Sequence, residues 1–250
     1  MDGARVMSTP GGEQGAVVAL DLKTGQPVWQ SKDFTDEAQY TSLMTLEKSG
    51  VRQYISGNRE RVAGLAAEDG RLLWQQKFRS GVVVSQSPIV SGDQIYMVAA
   101  GGTGCKAVKL TAPDAAEVVY ANKVMKNLPG GVVLFDGHIY GYSDSIGWVC
   151  QNWETGDEEW SSKELEKGSV TIADGRMYCL TEDKGTVVLA EASPKGWKEL
   201  SRFSLAPQSE RRALKAKVWT PPVIANGRLY LRDQENLWSF EIQSADAPRP

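Results

Sequence analysis

Histidine is all but missing from this sequence. His138, in the stretch DGHIYGYSD, is the only one in 250 residues. A single imidazole excludes a metal centre built on paired histidines, and it leaves one residue able to act as the base of a Ser–His–Asp system. Cysteine is nearly as scarce, with only Cys105, Cys150 and Cys179. No CxxC or Cys/His spacing suggests zinc, and an odd, sparse set is no disulfide framework. No apolar run approaches the roughly 18 residues that read as a membrane span. The first residues, MDGARVMSTPGG, lack the apolar core of a secretory signal. G-x-S-x-G and G-x-x-x-x-G-K are absent too, so nucleophile-elbow and P-loop chemistry are excluded. GGTGC at 101–105 leads into the strand-like CKAVKL rather than a helix, and reads as a flexible hairpin. No segment holds a 3.6-residue apolar period, so helix content is expected to be low.

Charge of either sign is also unconcentrated. Lys and Arg number 28 against 31 Asp and Glu, for a net charge of −3. Nucleic-acid binding would want a clustered basic face. The only basic cluster along the sequence, Arg211, Arg212, Lys215 and Lys217 in APQSERRALKAK, has no interleaved aromatics and reads as a solvated connecting segment.

What the sequence does have is one unit written repeatedly. TGQPVW ends at Trp29, DGRLLW at Trp74 and TGDEEW at Trp160, each tryptophan four residues after its glycine. Tyr120 in EVVY falls between them, so the steps are 45, 46 and 40 residues. A second marker keeps the same beat: a Gly turn followed by an x-hydrophobic-Tyr strand, in SGDQIY (Tyr96), DGHIY (Tyr140), DGRMY (Tyr178) and NGRLY (Tyr230). SGVRQY (Tyr54) is a looser copy. Two markers with one period define a structural repeat.

Each unit reads as four short strands, A to D. Strand A is apolar, strand B carries the tyrosine, strand C runs or alternates apolar, and strand D carries the tryptophan. Glycine at the turns supplies the positive φ of tight hairpins, and Val, Ile and Tyr favour the pleated surface between them. Four antiparallel strands every 38–52 residues predict an all-β fold, a β-propeller of four-stranded antiparallel blades. A single propeller domain is expected over 1–250, with blades near 4–34, 38–79, 82–125, 128–165, 168–206 and 218–243, a polar insertion at 207–217 and a tail at 244–250. The first unit lacks strand A and the last lacks strand D, giving 22 strands in five and a half to six blades. Aligned strand C residues Ala19, Gly64, Ala107, Cys150, Leu189 and Ser239 are small in five of six units. Close approach of neighbouring sheets would account for that, and would make Cys150 a packing residue. Cys179, within strand B, reads the same way.

The pattern of an apolar A strand, a Gly turn, x-x-Tyr and then A-L-D-x-x-T-G-x-x-x-W resembles the repeat of pyrroloquinoline quinone (PQQ) propellers. ALDLKTGQPVW at 19–29 is a near-complete copy, and WVCQNWETGDEEW and TPPVIANGRLYLRDQENLWSFEI also fit. Residues 36–243 are similar to bacterial PQQ-binding-like β-propeller repeat proteins, which are related to the propeller lipoprotein of outer-membrane protein assembly. The resemblance implies export to the periplasm or cell envelope. It also implies a piece of a longer, seven- or eight-bladed propeller whose preceding part would carry the signal.

For function, the resemblance puts a PQQ-dependent dehydrogenase on the table. Such enzymes carry an adjacent Cys–Cys pair, which this sequence lacks, so no cofactor is expected and PQQ enters by family name only. The favoured reading is a non-catalytic binding or scaffold module, taking a protein partner or a small polar ligand, with no nucleic acid and no membrane span. In this strand order the D–A connections and B–C loops share one face, where a central channel opens. That face would hold Tyr40, Thr41, Ser42, Gln86, Ser87, Gly130, Gly131, Ser169 and Thr220 at the starts of the A strands. The B–C loops would add Asn58, Arg59, Thr103, Asp144, Asp183, Asp233 and Asn236. Its scattered acids would suit a cation, a small polar ligand or a peptide. His138 falls on the opposite face, in a column with Arg52, Gln94, Arg176 and Arg228 two residues before the strand B tyrosines. That position calls for a solvated polar side chain, not a catalyst.

Overall fold

The computed structural model describes residues 1–213 and 216–242, so Leu214, Lys215 and the expected tail at 244–250 lie outside the described residues. Those described form 22 strands and no helix. They group into six antiparallel sheets in which sequence neighbours are also spatial neighbours. The first sheet is β1 (Arg5–Ser8), β2 (Val18–Asp21) and β3 (Pro27–Gln30). The second is β4 (Met44–Lys48), β5 (Val51–Gly57), β6 (Arg61–Ala66) and β7 (Leu72–Lys77). The third is β8 (Ile89–Ser91), β9 (Gln94–Ala99), β10 (Gly104–Ala112) and β11 (Ala115–Asn122). The fourth is β12 (Val132–Phe135), β13 (His138–Ser143), β14 (Gly147–Asn152) and β15 (Glu158–Ser162). The fifth is β16 (Gly168–Ala173), β17 (Arg176–Thr181), β18 (Thr186–Glu191) and β19 (Glu199–Ser204), and the sixth is β20 (Val223–Ala225), β21 (Arg228–Asp233) and β22 (Asn236–Glu241). The chain divides into two compact units, the first ending at Leu128 and the second starting at Pro129, each with three sheets.

The turns explain the sheets. Ser49–Gly50, Asp136–Gly137, Asp174–Gly175 and Asn226–Gly227 all have two successive positive φ values between 45° and 77°. That backbone matches the right-handed twist of the flanking strands. Burial then falls outward. The B strands β9 and β17 are buried on both faces, except for Arg176 at the start of β17, whereas the D strand β19 is exposed along nearly its whole length.

One row of side chains organises each complete sheet. Tyr140, Cys150 and Trp160 lie directly opposite one another on strands B, C and D of the fourth sheet. Tyr96, Ala107 and Tyr120 do so in the third. The small strand C residue therefore sits under its own sheet's strand D ring, and this, more than approach of a neighbouring sheet, is what keeps it small. A Cβ at Gly64 would lie 2.2 Å from Nε1 of Trp74. The exception follows the same rule: Leu189 faces Ser201, so the larger residue has moved to strand C.

Tyr54 departs from the expected column. The row of the second sheet is Ile55–Gly64–Trp74, and Tyr54 pairs instead with Leu65. One residue of slip puts it on the other face of the pleat. There its ring lies 6.1 Å from that of Trp29 in the first sheet. Its hydroxyl donates to Asp2 at 2.7 Å, and burial together with that contact pushes its pKa up to about 12.

Three strand D indoles tie their sheet to the next. Nε1 of Trp29 donates to the Ala67 carbonyl in the following sheet's C–D turn (3.2 Å), and Nε1 of Trp160 donates to Ser193 in the equivalent turn (2.8 Å). Trp74 reaches its turn through a relay. Its N–H donates to Oε1 of Gln53 (2.7 Å), whose Nε2 donates to the Pro113 carbonyl (2.7 Å). Gln53 is fully buried, so each of these groups would be left unsatisfied without the others. The three cysteines are buried as well. Burial raises the Cys150 thiol to about 12 and pushes Cys179 higher still. Such thiols are inert packing groups.

Two glycines separate conformation from contact. Gly25 and Gly70 both have φ near 70°, but a Cβ at Gly25 meets nothing within 4 Å, whereas one at Gly70 would lie 2.3 Å from the Trp29 ring. Gly25→Ala is expected to cost about 1–2 kcal/mol, the left-handed backbone cost alone. Gly70→Ala is expected to cost clearly more. Urea unfolding of both variants measures the difference, and equal losses would contradict the contact.

Candidate functional site

The two kinds of loop expected on one face do interlock in both units. In the first unit, Ala16 N–H donates to the Phe34 carbonyl, Phe78 N–H to Glu60 and Ser80 N–H to Arg59. In the second, Glu182 N–H donates to Lys167 and Val218 N–H to Glu182. On the opposite face the A–B and C–D turns are joined likewise, for example by Trp153 N–H to the Gly137 carbonyl.

Within the first unit the predicted residues fall into two groups. The Thr41 hydroxyl donates to the Gly57 carbonyl (2.8 Å), Ser42 N–H donates to Oγ of Ser87 (2.8 Å), and Nε2 of Gln86 donates to the Ser87 carbonyl (3.0 Å). This group joins the starts of two neighbouring A strands. Tyr40 borders it, its N–H held by the Val84 carbonyl at 3.1 Å while its side chain is 77% exposed. The second group is centred on Ser80, which sequence reasoning did not single out. Its Oγ accepts from the Thr103 hydroxyl (3.3 Å) and its carbonyl accepts from Nε of Arg59 (3.4 Å). Asn58 is buried beside Arg59, with its N–H on the Arg61 carbonyl.

In the second unit the three predicted aspartates are each latched by a cation. Asp144 accepts from Nζ of Lys167 at 2.7 Å, and Asp183 pairs with Lys217. Asp233 is 2% exposed, accepts from Ser209 N–H at 3.0 Å, and lies 3.8 Å from Nε of Arg212. Arg212 also donates to the Asp183 carbonyl (3.2 Å). The expected solvated character of the basic segment is therefore corrected at Arg212, which is only 11% exposed at its side chain, whereas Arg211 is exposed. The insertion straps the fifth and sixth sheets, pinned by Ser209 on Glu235 (2.6 Å) and by Asn236 on the Pro207 carbonyl (3.4 Å). Of the remaining expectations, Ser169 is buried, Thr220 is exposed and Gly130 packs on the Gly168 backbone. Gly131 sits at the start of β12 with φ 72°. The neutralising cations could have been sought as opposite charges on adjacent B–C and D–A loops.

His138 stands apart from all of these. Its Nδ1 donates to the Asp136 carbonyl at 2.8 Å and its Nε2 lies 3.5 Å from Glu159. The side chain is 19% exposed, so the expected solvated position is half-buried and occupied on both ring nitrogens. Arg52 is not free either: it pairs with Asp2, whose carboxyl it holds below the usual range. Because of the one-residue slip, the first residue after that hairpin is Val51.

Arg212→Gln would strand a buried carboxylate. The expected cost is about 3–5 kcal/mol, and Asp233→Asn on the Arg212→Gln background should recover part of it. Chemical denaturation of the single and double variants decides this; strict additivity of the two losses would contradict the latch.

Known proteins bear on the fold in two ways. Residues 13–117 match the family described as outer membrane protein assembly factor BamB. No curated protein sequence matches the chain. Among solved structures, BamB from Moraxella catarrhalis is 18% identical and superposes over 96% of this chain and 70% of its own, with a TM-score of 0.65. The β-propeller domain of Cps50 (Swd1) from Myceliophteria thermophila is 15% identical over 96% of this chain and 79% of its own (TM-score 0.60). The quinohemoprotein alcohol dehydrogenase from Comamonas testosteroni is 13% identical over 86% of this chain (TM-score 0.58), which spans 48% of that enzyme. The chain is thus a β-propeller in fold, and its residues 13–117 are similar to the family described as outer membrane protein assembly factor BamB.

Proposed function

We propose that this chain is a non-catalytic binding or scaffold module of the cell envelope, and that a protein partner docks on the loop face of its first unit. The observation that carries this reading is Tyr40. An aromatic side chain 77% exposed, on a backbone fixed by hydrogen bonds, is a preformed anchor of the kind that dominates interface energetics. Val83, 41% exposed, lies beside the Val84 that holds it. The polar residues Thr41, Ser42, Gln86 and Ser87 provide a hydrogen-bonding rim. The match to an outer membrane protein assembly factor supports an envelope location and a protein partner over a small ligand.

The likeness to a quinohemoprotein dehydrogenase suggests PQQ chemistry as a second reading. The residues do not fit that group. The cysteines are never adjacent, and no group of three His, Cys, Asp or Glu side chains among the described residues could hold its calcium ion. Asp144, Asp183 and Asp233 are each spent on a cation of the protein itself.

The test uses the natural full-length protein in its host, with a photo-crosslinking side chain at position 40. One discrete protein partner should be captured, and Tyr40→Ala should weaken its co-purification at least fivefold without changing the unfolding midpoint. Undiminished co-purification by Tyr40→Ala would overturn the docking face. PQQ-dependent, calcium-dependent alcohol oxidation would overturn the non-catalytic reading.

A further inference from the structure

Many of the cations on the surface of this acidic chain are paired. Lys48, Arg61, Lys167, Lys184, Lys198 and Lys217 each meet a carboxylate at ion-pair distance. One place in the first unit differs. At the ends of β7, β10 and β11 a cleft of about 260 Å³ is lined by Lys77, Lys106, Lys123, Arg79, Thr103 and Asn122, among others. No carboxylate lines it, and among the described residues Lys77, Lys106 and Lys123 have no carboxylate within ion-pair reach. At its rim, Glu60 lies 3.8 Å from the exposed Arg79.

The three lysines are far apart in sequence and brought together by the sheets. Lys77 ends β7. Lys106 stands on β10 opposite Ala121, and Lys123 follows the last residue of β11. Lys106 is not a waving surface chain. It is half-buried, its ammonium donates to the Lys77 carbonyl, and burial lowers its pKa. A charge held in place and partly stripped of water, in a cleft lined by two further lysines, lacks a carboxylate counter-ion. An anion fixed there would replace the lost hydration.

We infer that this cleft is a binding site for a small multivalent oxyanion, a phosphoryl group or a cluster of carboxylates, held by Lys77, Lys106 and Lys123. Its volume is just below the range of drug-sized pockets, so it suits a compact anion or the terminal group of a larger molecule rather than a whole cofactor. The site shares the loop face through Thr103, but none of its lining residues belongs to the Tyr40 group, and it does not depend on that group.

The experiment is calorimetric titration at fixed ionic strength with inorganic diphosphate and, separately, with tricarballylate. At least one should bind saturably with a stoichiometry near one. Binding of diphosphate alone assigns phosphoryl chemistry, and binding of tricarballylate alone assigns carboxylates. The triple variant K77Q/K106Q/K123Q should bind at least tenfold more weakly, while K23Q/K32Q/K195Q, which removes three exposed lysines elsewhere, stays within twofold. K106Q alone, checked for an unchanged unfolding midpoint, should lose at least threefold and stands in if the triple variant fails to fold. Absence of saturable binding to either anion, or equal losses in the two triple variants, would overturn the site.

Discussion

An indole N–H buried between two sheets needs an acceptor, and for the strand D tryptophans Trp29, Trp74 and Trp160 the acceptor is a carbonyl in the next sheet's C–D turn. Trp29 and Trp160 reach it directly, while Trp74 reaches it through Gln53. That one requirement fixes much else. It sets the distance between neighbouring sheets. It also forces strand C to be small beneath each ring, as Gly64 and Cys150 are, and it places glycine where the Trp29 ring lands at Gly70. The period of the sequence is therefore the period of a hydrogen bond as well as of a fold.

Ring rows and turns hold neighbouring sheets together on one side, and the loops on the other side join them as well. They are held by latches of another kind. In the second unit these are ionic, Asp144 to Lys167 and Asp233 to Arg212. In the first they are contacts around Ser87 and Ser80 together with the pairing of Arg61 with Asp36. The three aspartates on that face of the second unit are thereby committed to cations of the chain itself. The two features of the first unit that its own latches leave unspent, the Tyr40 ring and the Lys106 cleft, are of different chemistry and support separate roles.

The sequence made the architecture readable because its markers are geometric necessities. TGQPVW and TGDEEW report a turn and a ring at fixed separation, and NGRLY reports a hairpin with two positive φ values. Tyr54 misled because a letter was aligned where parity mattered. β5 carries one more residue after its turn, so Gln53 and Ile55 hold the face that tyrosine holds elsewhere. Arg212 was read as solvated because it belongs to an insertion with no counterpart in other units, and nothing local announces a buried Asp233 beneath it. Lys77, Lys106 and Lys123 share no motif; only the pairing of β10 with β11 and the packing of β7 beside them bring the three together.

The most direct test of the central claim is a double-mutant cycle on Trp74→Phe and Gln53→Leu, followed by urea denaturation. The single variants each break the relay to the Pro113 carbonyl, so their losses overlap. The account predicts a coupling energy of about 1 kcal/mol or more, within the range of directly bonded neighbours. Additive losses, with no coupling beyond error, would show that the indole and the amide stabilise the fold independently, and would contradict the relay as the link between sheets.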